Sequence, residues 1–443
     1  MTSAFSRAEH LRILIVAHAF PPMNSIASHR PYSWARVWRD AGHEVHVLTP
    51  AKYGFDGTMD LESDLDGIEV HEVAYLPVRT APQRSEFHGG ITAASRWAWL
   101  KDVTRRARNS LAMFTDPRLL AYIPMVRKGR KLVERSSMHL IIATSPPEVS
   151  FLVARSISRR TGTPWVADFR DLWFQDMRLH QSKLASQLSG PVNRWMVADA
   201  SALVTVSQGL RQRLSDYLGR KVLVSYNGFF ESDRLAPQGA RPWTDAKLHL
   251  VYTGRLYRGK RDPQPLLHAL QSIKRSQPDL SERLVVDFYG FDDLWLRTLV
   301  AQYEIGDCVS LHGFVPYRKS LESQRAADVL LFLDWADTEA EGVLTGKLFE
   351  YLGSGRPILS IGPRKSSEAA GIIDAGRCGM TLVSVEEIVH FLTELLHAGR
   401  PVDVDTSAVT RFSRERQALV LLDSLCEVLA RGRAEQLRSA RSH

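Results

Sequence analysis

Apolar residues along this chain fall into short uninterrupted runs, separated by longer stretches where apolar positions recur every three or four residues. The runs LRILIVAH (11–18), EVHVLTP (44–50), IEVHEVAYLP (68–77), HLIIATSPPEVS (139–150), PWVADFRDLW (164–173), ASALVTVS (200–207) and KVLVSYNGFF (221–230) read as strands. Segments such as SHRPYSWARVWRDAGH, closed by Gly42, and FLVARSISRRTG read as helices between them. Strand, helix and strand in alternation build parallel, doubly wound sheets. A polar, proline-containing stretch follows Asn227-Gly228, and then the pattern restarts with LHLVYTG (248–254), LVVDFYG (284–290), CVSLHGFV (308–315) and ADVLLFLDW (327–335). The expected fold class is α/β, with two doubly wound Rossmann-like domains facing a central cleft. The expected boundaries are 1–228, a linker at 229–246, a second domain at 247–408, a C-terminal helix at 409–432 and a frayed basic tail at 433–443.

The stretch EGVLTGKLFEYLGSGRPIL (341–359) organises the second half. Thr345 reads as an N-cap, Gly346 opens the first turn, and Leu348, Phe349 and Leu352 repeat at helical spacing. A glycine-containing loop entering a helix presents free N–H groups at the positive end of the helix dipole, which suits a phosphate. Lys347 adds a cation, and Glu350, one turn on, is placed for the ribose hydroxyls of a nucleotide. An ordinary crossover helix is the alternative. Gly254 and Gly313 join these residues as donor-side candidates.

In the first half, Asn24, Ser25, Ala27 and Ser28 make a loop whose small side chains admit a ligand near the backbone; no GxGxxG accompanies them. Asp168, Arg170 and Asp171 cluster where a strand ends, the edge at which open α/β sheets bind ligands. The bland reading of that cluster is Arg170 neutralising its two neighbours. Asp64-Leu-Asp66 resembles a DxD metal signature, but its place in a polar turn before a strand favours a surface turn, and no metal is assigned. Residues 92–135 interleave Trp97, Trp99, Phe114 and Tyr122 with Arg96, Lys101, Arg105, Arg106, Arg108, Arg127, Lys128, Arg130 and Lys131. That composition suits either docking on an anionic membrane surface or a helical pair with a solvated basic face.

Composition narrows the class. With 443 residues, more than one core is expected, and 44% hydrophobic residues argue against disorder. The formal net charge of +8 comes without a zinc finger, an RNP-like strand or a helix-turn-helix, so nucleic acid is not an expected partner. Cys308, Cys378 and Cys426 form no CxxC pair, which argues for a reducing compartment without disulfides or zinc. The N-terminus lacks a signal-peptide pattern, so a cytoplasmic location is expected, with peripheral contact at the inner membrane face if residues 92–135 dock.

Four motifs in order carry a family resemblance: FPP with GHEVHVLT near the start, YNGF (226–229), GRLYRGK (254–260) and KLFEYLGSGRPIL (347–359). The chain resembles the retaining GT-B glycosyltransferases of family 4 over nearly its whole length. The resemblance implies sugar transfer from a nucleotide diphosphate sugar to the hydroxyl of a glycan or lipid-linked acceptor. It assigns Arg255 and Lys260 to the donor diphosphate and Glu350 to the donor ribose. The family's earlier Glu is displaced: its position falls on Gly342, and Glu341 stands one residue before. Arg170 replaces a His that many relatives have, and Asp171 matches the Asp beside it. The RDLW wording is similar to a bacterial subgroup that builds surface polysaccharides. No cofactor or metal is expected, because cationic side chains stand where a metal would otherwise offset the diphosphate. Two alternatives are a non-catalytic GT-B nucleotide-binding or scaffold protein and a nucleotide-sugar 2-epimerase.

Overall fold

The computed structural model describes residues 10–53, 56–75, 117–171, 191–235, 243–290, 294–335, 342, 344–398, 404 and 407–441. They form two units. The first is drawn from Met1–Val206, Leu210–Ser225 and Ala418–His443, and the second from Ser207–Gly209 and Tyr226–Gln417.

The first unit holds β1 (Arg12–Val16), β2 (Glu44–Pro50), β3 (Ile68–Val73), β4 (Leu140–Ser145), β5 (Trp165–Phe169), β6 (Ala202–Thr205) and β7 (Val222–Val224). They pair in the order β3-β2-β1-β4-β5-β6-β7, and every pairing is parallel. Central strands β4 and β5 are buried along their whole length, as expected of a sheet covered on both faces. On the helix Ile26–Asp40, Trp34 and Trp38 stack with ring centroids 5.8 Å apart and are almost fully buried. The helix Tyr122–Ser136 buries Met125, Gly129 and Val133, one residue per turn, and turns Arg127, Lys128, Arg130 and Lys131 to solvent. A Cβ at Gly129 would lie 2.4 Å from Ile157 Cδ1, so that side chain would have to shift to admit one. This described part of the basic segment has the apolar-face and solvated-face arrangement, although Leu120 and Ile123 remain about half exposed at its start. Residues 92–116 lie outside the described residues. No helix among the described residues is long and apolar enough to cross a membrane.

The second unit holds β8 (Leu248–Thr253), β9 (Leu284–Tyr289), β10 (Val309–Gly313), β11 (Val329–Leu333), β12 (Ile358–Ile361) and β13 (Gly379–Leu382). The order is β10-β9-β8-β11-β12-β13, again all parallel. The helices Gln264–Ser276 and Val385–Ala398 and the strand residues Leu250, Val286 and Leu331 share one buried cluster. A second cluster, on Leu348, Phe349 and Leu352, takes in Phe229 and Phe412.

Two sequence expectations need correction, and three elements were not anticipated. Residues 229–235 are not simply linker: Phe229 is buried in the second unit, and Glu231–Leu235 is a short helix. The last helix runs Arg414–Arg441, so helix continues through residues expected to fray. Strand β13 and the helices Glu368–Ala375 and Val385–Ala398 had no counterpart in the pattern reading.

Both sheets reverse strand order beside their first strand, between β1 and β4 and between β8 and β11. A crevice opens outside the carboxyl ends of the strands at such a reversal, where open α/β sheets bind ligands.

Candidate active site

In the second unit, three parallel strands end on glycine at neighbouring positions. Gly254 N–H donates to the Tyr289 carbonyl (2.8 Å) and Gly290 N–H to the Gly313 carbonyl (2.8 Å). Gly254 has φ +145° and Gly313 φ +67°, values that L side chains rarely adopt. A Cβ on Gly290 would sit 2.1 Å from the Gly254 carbonyl oxygen, so only glycine allows these backbones to meet. With Arg255 and Leu296 these residues line a cavity of about 30 Å³. That volume holds about one water and is too small to enclose a nucleotide.

Arg255 and Lys260 follow β8, and both are exposed. A tight turn, bridged between Tyr257 and Arg261 around Gly259 at φ +71°, carries Lys260 back towards the end of β11. There its Nζ lies 5.4 Å from the Trp335 ring centroid, and the Arg261 guanidinium lies 4.8 Å from the same ring. Asp334, beside Trp335, accepts the Trp335 N–H on Oδ1 (2.8 Å), while its buried Oδ2 has no hydrogen-bond partner among the described residues.

The helix Gly346–Ser354 opens at the same edge, after β11. Thr345 is its N-cap with extended backbone, but its side chain makes no capping bond and its Oγ1 is unpartnered. The first-turn N–H groups therefore have no side-chain acceptor from the cap. Leu348 points inward and is fully buried, so it fixes the helix and contributes no side chain to a ligand. Glu350 accepts Lys347 Nζ at 2.8 Å and Gln324 Nε2 at 3.1 Å, both on Oε2. Its Oε1 has no hydrogen-bond partner among the described residues. Behind it Gln324 donates to Thr253 Oγ1 (2.9 Å), and the Thr253 N–H donates to the Tyr351 hydroxyl (2.9 Å). Burial pushes the Tyr351 hydroxyl pKa up, so it stays a neutral member of this network. Glu341 lies outside the described residues.

In the first unit the strand-end cluster is divided. Asp168 is fully buried, takes Arg30 Nη2 on Oδ1 at 2.7 Å and Nε on Oδ2 at 3.1 Å, and accepts Thr144 Oγ1 at 2.8 Å. Arg30 also donates to the Ser225 carbonyl (2.8 Å) and packs over Trp34. Arg170 donates to the carbonyls of Ser145 (3.4 Å) and Pro146, while both neighbouring carboxylates act on its charge. Burial holds its pKa below the ordinary guanidinium value, against the pull of Asp171 and Asp168. Asp171 is the exposed member.

The loop after β1 is tied down: Asn24 donates to Asp60 (3.0 Å), and the Ser25 and Ser28 hydroxyls meet at 3.0 Å. Ser28 is fully buried, leaving Asn24 and Ser25 as the accessible pair. Sequence reading missed His18, Lys52 and Asp56 beside them. His18 Nε2 lies 3.7 Å from Asp56. Burial, helped by the charges of Lys52 and Arg118, lowers the His18 pKa despite Asp56. Lys52 donates to Thr49 and to the Pro50 carbonyl, and burial pushes its pKa down to about 8. Asp64 pairs with Arg39 at 3.0 Å and is largely exposed, in a turn before β3.

Two all-parallel doubly wound sheets in one chain are the GT-B architecture. The chain is similar along almost its whole length to solved structures of that fold. Sucrose-phosphate synthase from Thermosynechococcus elongatus is 12% identical with a TM-score of 0.55, over 98% of this chain and 100% of that one. The N-terminal domain of Candida albicans trehalose-6-phosphate phosphatase is 13% identical with a TM-score of 0.58, over 97% and 99%. The lipopolysaccharide outer core galactosyltransferase WaaB is 12% identical with a TM-score of 0.53, over 94% and 99%. At such identities the likeness is one of fold, and the fold hosts more than one activity. Residues 27–228 match the family model described as a glycosyl transferase 4-like domain. No curated protein sequence matches the chain.

Proposed function

We propose that the chain is a retaining glycosyltransferase that moves a sugar from a nucleotide diphosphate sugar to an acceptor hydroxyl, in the synthesis of a cell-surface polysaccharide or glycolipid. One observation carries the reading. Exposed Arg255 and Lys260 stand at the carboxyl edge of the second sheet together with a helix N-terminus whose cap side chain makes no bond to the first-turn N–H groups. The glycosyl transferase 4-like match over residues 27–228 supports transfer as the chemistry.

In this mechanism the donor diphosphate spans the Gly254–Gly290–Gly313 rim, and Glu350 receives the ribose hydroxyls on its free oxygen. Charge develops on the leaving diphosphate as the glycosidic bond breaks. Arg255, Lys260 and the N–H groups at Thr345–Lys347 stabilise it more in that state than in the ground state. The departing phosphate oxygen takes the acceptor proton, so no carboxylate nucleophile is required. Asp171 orients the acceptor, while Asp168, enclosed by Arg30 and Thr144, shapes the strand end. The donor site uses cationic side chains and requires no metal. A lipid-linked acceptor would bring the basic face of the helix Tyr122–Ser136, with exposed Leu120 and Ile123, against an anionic membrane surface.

The test is calorimetric titration of the protein with UDP, GDP, ADP and dTDP, repeated on Arg255→Ala. Binding of one diphosphate, lost in the variant, is the expected result. Equal binding by both proteins would remove Arg255 from the donor site.

One observation favours a second reading. The Arg170 guanidinium is occupied by two backbone carbonyls and supplies no proton-transfer group where many relatives carry a His. A non-catalytic nucleotide-binding protein fits that arrangement, and it would bind the diphosphate but never turn over the donor sugar.

A further inference from the structure

The tripeptide Glu-Val-His occurs twice in the first unit, each time two residues after a glycine: Gly42-His43-Glu44-Val45-His46 and Gly67-Ile68-Glu69-Val70-His71. The two copies form neighbouring strands, β2 and β3, and β3 ends the sheet. Strand alternation puts Glu and His of each copy on one face and Val on the other. Parallel pairing sets His46 opposite Glu69, with His71 one step diagonally beyond. The offset brings the second copy's Glu and His together against the first copy's His.

Three ligand atoms converge there. His46 Nδ1 lies 3.1 Å from His71 Nε2 and 3.3 Å from Glu69 Oε2, and His71 Nε2 lies 3.6 Å from Glu69 Oε2. Ligands about 2.0–2.1 Å from a tetrahedral zinc ion stand about 3.3 Å apart. The observed triangle has that size. The fourth partner is Glu44, whose Oε1 lies 2.8 Å from His46 Nε2. A proton on Nε2 donated to Glu44 leaves the Nδ1 lone pair turned towards His71 and Glu69. A carboxylate gripping the far nitrogen of a ligating imidazole is the usual outer support of a zinc site. His46 is buried and His71 nearly so, while Glu69 reaches solvent, so the site has rigid nitrogen donors and an accessible side for entry. Lys128, on the helix Tyr122–Ser136, is near enough to act on His71, and the Glu69 carboxylate opposes it.

We propose that His46, His71 and Glu69 bind a zinc ion, with Glu44 as the positioning residue for His46. Two imidazoles and one carboxylate select a borderline-soft divalent cation over magnesium or calcium. The site lies within β2 and β3, before the carboxyl ends where the candidate active site gathers. Its effect is on the sheet: the ion ties the last strand to its neighbour.

The experiment uses the full chain stripped of metal with a chelator and dialysed, then titrated with Zn²⁺ by calorimetry and with Co²⁺ by visible absorption. One equivalent per chain, tetrahedral Co²⁺ bands and a Tm rise of roughly 5 °C at a hundredfold excess over Kd are expected. His71→Ala and Glu69→Gln should abolish the Co²⁺ bands, and Glu44→Gln should weaken Zn²⁺ binding about tenfold or more. Glu69 is exposed, so Glu69→Gln carries the test if His71→Ala fails to fold. Absence of saturable Zn²⁺ binding, or binding that Glu69→Gln leaves unchanged, would overturn the proposal.

Discussion

At the strand ends of the second unit, Arg255 and Lys260 are exposed, and the cap residue of the helix Gly346–Ser354 makes no capping bond. At the strand ends of the first, the strongest charges, Arg30 and Asp168, are both buried and satisfy one another. The same sheet topology thus supplies two kinds of edge. One leaves Arg255 and Lys260 exposed beside a helix N-terminus. The other uses an ion pair to hold β5, the helix Ile26–Asp40 and the Ser225 carbonyl in place. A charge at a strand end is not by itself a ligand contact; its burial and partners decide which kind it is.

The sharpest way to break this contrast is to remove one half of the buried pair. Asp168→Ala leaves the Arg30 guanidinium buried without its carboxylate and should cost about 3–5 kcal/mol in a denaturant unfolding experiment. A loss below about 1 kcal/mol would show that the pair is not structural. Next in size, Arg255→Ala and Lys260→Ala should each lower kcat/KM for sugar transfer about a hundredfold, close to 3 kcal/mol of transition-state stabilisation. Because both side chains are exposed, their unfolding midpoints should match the wild type.

Lys52 sharpens the comparison through pH. Its folded-state pKa, about 8, lies below the unfolded value of about 10.4, so charged Lys52 destabilises the fold. Between those values the unfolded chain holds more protons than the folded one, and stability rises with pH. Lys52→Met should therefore be more stable than wild type at pH 7, by about 2–3 kcal/mol. That advantage should shrink between pH 8 and 10.4, and a constant difference would contradict it. The smallest effect is expected at Glu350. Glu350→Gln keeps its shape but weakens the ribose contact, and should raise the donor Kd about tenfold, near 1.4 kcal/mol.

Much of this was legible in the chain. Runs such as LIIATS and LVVDFY are apolar at nearly every position and have no other home than a sheet covered on both sides. Strand β13 was hidden because GMTL is short and its first two residues are exposed on the sheet's last strand. The donor-side candidates came from two separate motifs, GRLYRGK and TGKLFE, in each of which glycine and cations fall close together in sequence. Gly290 was overlooked, although its YG ending echoes the YTG that ends at Gly254. Arg30 was invisible for another reason: it meets Asp168 across 138 residues. An arginine among the buried positions of a Trp-rich helix was the one local hint. Lys52, likewise, owes its properties to burial, which no motif encodes.

The last helix sets the order of events during synthesis. Ala418, Leu421, Leu422 and Leu425 are buried, and the Ala418 carbonyl accepts the indole N–H of fully buried Trp38 at 2.9 Å, within the first unit. The first unit to leave the ribosome is thus the last to be finished, since it waits for residues made after the whole second sheet. Until they arrive, a nascent chain shows an unmet tryptophan N–H and a bare apolar strip, the kind of surface that a chaperone holds.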